Sequence, residues 1–160
     1  MENINIKIIM ENNKEMEAEL YPDVAPITVE NFVKLIKENF FDGITFHRVI
    51  PGFMIQGGDP TGTGMGGSKD NIKGEFLANG FVNNLKHERG VLSMARTQDP
   101  NSASSQFFIM HDDAPYLDGQ YATFGKVTKG FEVIDEIAGV KTDMRDKPLT
   151  PQVIKTIELV

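Results

Sequence analysis

The stretch FHRVIPGFMIQGGD, residues 46–59, gives the strongest indication of the fold. It begins with β-branched and aromatic residues, is interrupted by Pro51-Gly52 and continues as a second apolar run, which predicts two strands joined by a turn. Because side chains alternate across a strand, Arg48 should share a face with Phe46 and Ile50. Arginine is rarely buried without a partner, so one on an apolar face is predicted to have a partner or a function.

Gln56 lies just beyond this turn, with Phe53 and Met54 beside it. One cation from Arg48, one amide and two large apolar side chains can therefore converge on the same place. Such a set of groups suits a ligand that has an apolar ring next to a carbonyl.

The stretch resembles the signature of the cyclophilin-type peptidyl-prolyl cis-trans isomerases. Further blocks are similar to the same family, follow its order and span most of the chain: residues 90–95 (GVLSMA), 105–109 (SQFFI), 117–119 (LDG) and 124–127 (FGKV). The resemblance implies a mostly β fold, a closed eight-stranded antiparallel β-barrel capped by two α-helices. It also implies an isomerase that rotates X-Pro peptide bonds, assists protein folding and uses neither cofactor nor metal.

Roles for individual residues follow from the same resemblance. Arg48 resembles the catalytic arginine of the family, and Gln56 resembles the glutamine that positions this arginine and contacts a substrate carbonyl. The implied substrate-binding residues are the proline-pocket walls Phe53, Met54, Phe108 and Leu117, the strand residues Ala95 and Arg96 that pair with an extended substrate, Gln106 on the groove floor, and Gly62 beside the pocket for the residue preceding proline.

The sequence departs from the family pattern at three places in this groove. Tyr116 stands where many members have a tryptophan that helps bind cyclosporin, so we expect cyclosporin to bind with reduced affinity. Tyr121 stands where many have a histidine that lines the proline pocket, which keeps an aromatic wall. Arg96-Thr97 replaces a commoner pair that begins with asparagine, and we expect this change to affect sequence preference.

The chemistry of prolyl isomerisation agrees with these residue types. Rotation about the X-Pro bond destroys amide resonance, and the barrier is about 20 kcal/mol. In the twisted state the prolyl nitrogen regains its lone pair, so a donor aimed at that nitrogen stabilises the transition state more than the planar ground state. Arginine is suitable because it is always charged and carries a rigid fork of donors. The reaction needs no covalent step.

Two alternatives keep the same residues in other roles. The chain could be a proline-peptide binding module or chaperone without catalysis, which intact Arg48 and Gln56 disfavour. Residues 62–67 also spell G-x-G-x-x-G, a pattern of nucleotide-binding loops. That motif requires a strand before it and a helix after it, and residues 70–74 show no helical pattern.

Length and composition limit the remaining possibilities. At 160 residues the chain is long enough for a single domain over residues 1–160. Its net charge of −7 argues against a nucleic acid partner, and the absence of cysteine excludes disulfides. The three histidines are too widely spaced for a metal site. We interpret His47 as structural, and His87 and His111 as surface residues.

Location and assembly are predicted from what the sequence lacks. The N-terminus has no basic region followed by an apolar run, and no apolar stretch approaches the ~18 residues of a membrane-spanning helix. We therefore expect a cytoplasmic monomer with no membrane partner, which acts on proline-containing peptides and unfolded proteins.

Hydrophobic periodicity places the remaining elements. The pattern alone does not distinguish a barrel from a sandwich. Residues 74–86 are expected to be irregular and surface-exposed. The predicted strands are residues 4–10, a return strand with Met16, Ala18 and Leu20 on one face, and residues 91–95, 106–110, 121–127 and 153–159; the predicted helices run from about 26 to 38 and from 131 to Gly139.

Overall fold

The N-terminal alternation forms a hairpin, as predicted. In the computed structural model, which describes residues 2–160 and so leaves Met1 of the predicted domain outside, β1 (Ile4–Met10) pairs antiparallel with β2 (Glu15–Leu20). The register sets Ile4 opposite Leu20. The apolar side chains on one face of both strands are buried, so the hairpin contributes one face to the core.

The first helix, α1, spans Pro26–Lys37 and confirms the predicted helix to within one residue. Its N-terminus has no cap from its own sequence, because Ala25 precedes it. Glu75 supplies the cap instead: its carboxylate accepts the N–H groups of Ile27 at 3.2 Å and Thr28 at 2.7 Å, and also the Thr28 hydroxyl at 2.7 Å. A carboxylate at a helix N-terminus satisfies free N–H groups and complements the helix dipole.

The segment that carries this cap corrects the prediction that residues 74–86 lie on the surface. Glu75 and Phe76 are buried, and a short 3-10 helix, Leu77–Asn79, follows them. The prediction was wrong for these two residues and for Gly74 before them, which is also buried, because their long-range partners leave no trace in local periodicity. Glu75 can be buried because the N–H groups at the start of α1 and the Thr28 hydroxyl supply the hydrogen bonds that water would otherwise give its carboxylate.

A β-bulge changes the faces of the signature strands. β3 (Phe46–Ile50) pairs with β4 (Met54–Gly57), but Phe46 lies opposite Gly57 whereas Arg48 lies opposite Gln56, so His47 is an extra residue. An extra residue reverses the alternation beyond it. Phe46 therefore faces the central core and Arg48 the outside, and the prediction that they share a face is wrong.

Eight strands form a single curled sheet in which all neighbours are antiparallel, which confirms the predicted strand number and direction. The strand order is β3-β4-β6-β5-β7-β2-β1-β8. The two edges meet through a short bridge between Thr45 and Val153, where Phe46 N–H donates to the Gln152 carbonyl at 2.9 Å. The elements not yet named are β5 (Val91–Met94), β6 (Phe107–Met110), β7 (Thr123–Lys129), β8 (Ile154–Leu159) and α2 (Phe131–Ala138).

The sheet separates two apolar clusters. Inside, Phe32 of α1 packs against the rings of Phe41, Phe107 and Phe124, with ring centroids 4.9–5.2 Å apart. Outside, Phe108 belongs to a second cluster, so β6 sends alternate residues to opposite faces as predicted. The outer cluster consists of Met54, Val91, Phe108, Met110 and Ala114, with Ile50, Phe53, Leu85, Ala95, Leu117 and Tyr121 packed against it.

Residues 2–160 contain neither a membrane-spanning helix nor a cluster of metal ligands. Over residues 2–160, no helix is long and apolar enough to cross a membrane. In the same range, no group of three or more histidine or carboxylate side chains is placed to hold a metal ion.

Replacing Glu75 by glutamine should lower the free energy of unfolding by about 1–3 kcal/mol, because a neutral amide oxygen is a weaker acceptor for the N-terminal N–H groups of α1. Urea denaturation measures this change. The matched control is Glu30→Gln, which removes the same charge from an exposed position of α1 and should have an effect below about 0.5 kcal/mol. Equal unfolding midpoints for the two variants would contradict the capping role.

Candidate active site

A cavity of about 180 Å³ opens beside the outer apolar cluster. Apolar groups form one part of it, and the side chains of Arg48 and Gln56 form another. Every residue that lines it was singled out from the sequence: Arg48, Phe53, Met54, Gln56, Ala95, Arg96, Phe108, Leu117 and Tyr121. The structure therefore brings together four segments that are far apart in the chain.

A second cavity, of about 150 Å³, adjoins the first and shares Gln56, Ala95 and Arg96 with it. Gln106 lines this second cavity, so it lies on the groove floor next to the apolar pocket. The two cavities together form a groove along the end of β5, where an extended peptide would fit.

Two of the predicted residues lie outside this pair of cavities. Gly62 lines a different cavity, on the far side of Arg48. Tyr116 is 70% exposed and lies at the rim, where its ring centroid is 6.1 Å from that of Phe53. The other residues proposed from the resemblance line one or both cavities.

Three side chains form a hydrogen-bonded relay that ends at Arg48. Gln106 donates through Nε2 to the carbonyls of Gly64 and Gly66 at 2.9 and 2.8 Å, so its Oε1 is free to accept from Gln56 Nε2 at 3.0 Å. Gln56 Oε1 in turn accepts from Arg48 Nη1 at 3.4 Å. Each amide has its donor side fixed by one neighbour and its acceptor side by the next, which orients the whole series.

The relay begins at a glycine-rich loop that is wound around Asp59. The buried carboxylate accepts backbone N–H groups of Thr61, Thr63, Gly64 and Gly66, and also the Thr61 hydroxyl. Burial would raise the pKa of Asp59, but these hydrogen bonds together lower it to about 2. Because the loop amides already bind this internal anion, they are not available to a phosphate, which argues against the nucleotide alternative.

His87 lies directly behind the apolar pocket, so its interpretation as a surface residue was wrong. It is buried, its Nδ1 lies 2.9 Å from an Asp118 oxygen, and its Nε2 lies 2.9 Å from the Ser93 hydroxyl. Its ring stacks on Phe108 with centroids 5.9 Å apart. Burial lowers the pKa of His87 although Asp118 opposes this, so the ring supports the pocket wall in its neutral form.

The other two histidines are at least partly buried. His47 is buried at the β-bulge, which agrees with a structural role. The side chain of His111 is 21% exposed rather than fully at the surface. Its Nδ1 accepts the Gly52 N–H at 2.8 Å, and Nε2 lies 2.9 Å from an Asp135 oxygen, so it joins the β3–β4 turn to α2.

Arg96 is held at the rim by two aromatic rings. Its guanidinium lies 4.7 Å from the ring centroid of Phe76 and 4.8 Å from that of Tyr121. It also donates to the Gln120 carbonyl from two nitrogens, at 3.2 and 2.6 Å. These two cation–π contacts keep its charge beside the groove. The part played by Phe76 was not apparent from the sequence, because Phe76 lies twenty residues away in an irregular segment.

Comparison with known proteins identifies the family. The model of the cyclophilin type peptidyl-prolyl cis-trans isomerase family matches residues 5–159. The chain belongs to this family. As a cyclophilin, it catalyses the cis–trans isomerisation of peptidyl-prolyl bonds, which confirms the activity that the resemblance implied.

Two relatives of known sequence show the degree of sequence identity. Peptidyl-prolyl cis-trans isomerase B of Bacillus subtilis is 51% identical over 124 residues, which cover 78% of this chain and 83% of that protein. A curated relative from Streptococcus pyogenes is longer: it is 42% identical over 180 residues, and the chain spans 38% of its length.

A solved structure confirms the cyclophilin fold. The crystal structure of a cyclophilin-type isomerase of Cryptosporidium parvum has a TM-score of 0.91 and 34% sequence identity, and the similarity covers 99% of this chain and 98% of that one. A second crystal structure of that protein was determined in the presence of the dipeptide Ala-Pro, and its TM-score is 0.89.

Stability at low pH should report on Asp59. Its folded pKa of about 2 lies below the usual 3.8, so its contribution is complete above about pH 4 and is lost as the pH falls through 2. The wild-type protein should lose about 2 kcal/mol of unfolding free energy from this group over that interval. Urea denaturation at a series of pH values measures the loss.

Asp59→Asn should remove this part of the pH dependence and should also be less stable at pH 7. The control is Asp42→Asn, an exposed aspartate, which should keep the wild-type pH profile. If Asp59→Asn loses stability between pH 4 and pH 2 as steeply as the wild type, the loop is not held by the ionised carboxylate.

Proposed function

We propose that Arg48 is the catalytic residue of this isomerase, and that the groove formed by the two adjoining cavities binds proline-containing segments. The observation that carries the proposal is the position of Arg48 and Gln56 opposite the apolar wall of the same pocket. The pocket holds the proline ring while the acyl side of the X-Pro bond rotates. The Ala-Pro dipeptide used with the related Cryptosporidium parvum protein supports this class of ligand.

Arg48 stabilises the twisted state of the peptide bond. When the bond rotates, the prolyl nitrogen loses conjugation, becomes pyramidal and can accept a hydrogen bond. A guanidinium donor near that nitrogen binds the transition state better than the planar substrate. The side chain is exposed, and among residues 2–160 it makes one hydrogen bond, to Gln56, so most of its N–H groups remain available.

Gln56 and Gln106 act as positioning residues. Both Gln56 groups are already engaged, the oxygen with Arg48 and the nitrogen with Gln106. Gln56 is therefore better placed to orient the guanidinium than to bind a substrate carbonyl with its amide nitrogen. The glycine-rich loop contributes indirectly, because its Gly64 and Gly66 carbonyls accept the hydrogen bonds that orient Gln106.

The pocket walls explain why the site prefers proline. Met54 and Phe108 are only 1% and 5% exposed, and both belong to the outer apolar cluster, so this wall is rigid. Burying a compact apolar ring there is favourable, whereas polar groups on the same wall would lose their hydration. Tyr121 contacts Phe108 edge to face, with ring centroids 5.8 Å apart, and completes the aromatic side.

The rate acceleration expected of an isomerase indicates how far the groups in the site must together lower the barrier to X-Pro rotation. Raising a rate of ~10⁻² s⁻¹ to ~10³ s⁻¹ corresponds to about five decades, or ~7 kcal/mol. A single preorganised donor can supply about 3–4 kcal/mol of this. Positioning of the X-Pro segment and exclusion of water by the apolar wall must supply the rest.

The proposed partners are flexible X-Pro segments, such as those exposed in unfolded proteins. A net charge of −7 disfavours a phosphate-backbone partner. We also propose a single isomerase domain over residues 1–160 that acts as a monomer without a cofactor. The cytoplasmic location stays a prediction from the sequence.

Arg48→Ala should reduce kcat/KM by ~10²–10³, because the donor that acts on the prolyl nitrogen is lost. Peptide affinity and stability should change much less, since Arg48 is exposed. Arg48→Lys should rescue the rate only in part, because a flexible point charge cannot replace the fixed fork of donors. Exchange NMR on a proline tetrapeptide measures the isomerisation rate, and thermal unfolding of each variant is the control for folding. A wild-type rate for Arg48→Ala would rule out the proposed mechanism.

Tyr116→Trp should tighten cyclosporin binding by about 1–2 kcal/mol, because an indole N–H and a larger ring are added beside Phe53 at the groove rim. Turnover should change little, since Tyr116 does not line the pocket. Calorimetric titration of both proteins with cyclosporin measures the difference. Equal affinities would show that the drug does not reach this part of the rim.

A further inference from the structure

A third cavity, of about 440 Å³, lies on the side of Arg48 away from the outer apolar cluster. Arg48 and Gln56 line both this cavity and the proline pocket, so the two cavities adjoin. Its remaining walls come from the signature strand, the glycine-rich loop and a short loop before β8: His47, Gly62, Thr63, Gly64, Asp143, Arg145 and Lys147. Neither the proposed catalytic step nor the proline pocket uses this space.

The loop of residues 143–147 has a defined shape. The Asp143 carboxylate accepts the N–H groups of Arg145 at 2.8 Å and Lys147 at 3.1 Å, and the Val49 N–H of β3 donates to the Asp146 carbonyl at 2.8 Å. The loop is therefore tied both to itself and to the strand that carries Arg48. These bonds use backbone groups of Arg145 and Lys147, so the two charged side chains remain free.

The lining of this cavity is positively charged, although the protein as a whole is negatively charged. The chain has a net charge of −7, yet this cavity is lined by three cations, Arg48, Arg145 and Lys147, and by one carboxylate. Among residues 2–160, no ion pair joins any of the three cations to a carboxylate. Hydrogen bonds from Arg145 and Lys147 lower the pKa of Asp143, so it is ionised and the four groups carry a net charge of +2 at neutral pH.

His47 does not add a further charge. Burial lowers its pKa, the nearby Lys147 and Arg48 lower it further, and Asp59 opposes them. The histidine is therefore neutral at pH 7. Lys147 and Arg48 both line the cavity together with His47.

We propose that this cavity is an anion subsite, in which Arg145 and Lys147 bind the carboxylate of an aspartate or glutamate side chain that flanks the X-Pro bond of the substrate. An extended peptide advances about 3.3–3.6 Å per residue, so a residue close to a proline held beside Arg48 can reach a cavity that shares the Arg48 wall. The isomerase then favours acidic proline segments over neutral ones. The inference rests on the proposed use of the groove as the substrate site.

The expected preference is moderate and sensitive to salt. Exposed ion pairs contribute little each, and two together should raise kcat/KM for the acidic peptide about three- to tenfold at low ionic strength. Screening at about 0.5 M salt should bring the ratio close to one, whereas a preference based on shape would persist.

The test uses acetylated peptides with one proline and either Glu or Gln at each of the two positions before and the two positions after it. Exchange NMR gives kcat/KM for every peptide with the wild-type protein and with the double variant Arg145→Gln/Lys147→Gln. At one position or more, kcat/KM for the Glu peptide divided by kcat/KM for the Gln peptide should be about three to ten for the wild type. For the double variant this Glu-to-Gln ratio should be about one. A double variant at Lys37 and Lys155, both changed to glutamine, loses the same charge elsewhere and should keep the wild-type ratio.

Two results would overturn the subsite. One is a wild-type ratio near one at all four positions. The other is a raised ratio that the Arg145→Gln/Lys147→Gln variant retains, since the preference would then arise elsewhere. Rates on the Gln peptides separate this question from the proposed function: if Arg48→Ala slows the neutral peptides as expected, the catalytic proposal stands whatever the Glu-to-Gln ratio is.

Discussion

The buried carboxylate of Asp59 is the interaction on which the groove depends. A charged group without water must be paired or fully hydrogen-bonded, and here five donors from residues 61–66 surround it. Those bonds give the glycine-rich loop one shape and point the Gly64 and Gly66 carbonyls at Gln106. The orientation of both glutamines, and through them of Arg48, follows from that shape. A residue at the end of the signature stretch thus helps to orient Arg48, the proposed catalytic residue, without contacting it.

The β-bulge at His47 is the second constraint, because it allows one short strand to serve two environments. Phe46 and Val49 both belong to the central core, although they are three residues apart. A regular strand would place them on opposite faces. The bulge lets both face inward and turns Arg48 toward the groove, opposite Gln56. The core residues of β3 and the proposed catalytic side chain therefore do not compete for the same face of the strand.

Much of the fold could be predicted from the sequence, since it depends on local periodicity. The alternation of Phe107 and Phe108 predicts that they lie on opposite faces of β6, and the resemblance predicts the set of residues that lines the pocket. The errors share one physical cause, which is long-range pairing of polar groups. Glu75 is buried against α1, whose Thr28 is 47 residues away in the chain, and His87 is buried against Asp118, which is 31 residues away. The bulge at His47 was not predicted for a related reason: only the register of the partner strand reveals an extra residue.

The relay also explains how Arg48 can be oriented and still be available to substrate. A buried salt bridge would fix the guanidinium firmly, but it would neutralise the charge and occupy the donors that the transition state needs. Here a neutral amide accepts a single N–H at 3.4 Å, and the other donors of the fork stay free. The rigidity comes instead from the amides behind it, whose shorter bonds of 2.8–3.0 Å end on backbone carbonyls. In the proposed mechanism, the groups that hold the arginine in position are thus separate from the donors that bind substrate, and this arrangement leaves most of the binding strength of Arg48 for the twisted peptide bond.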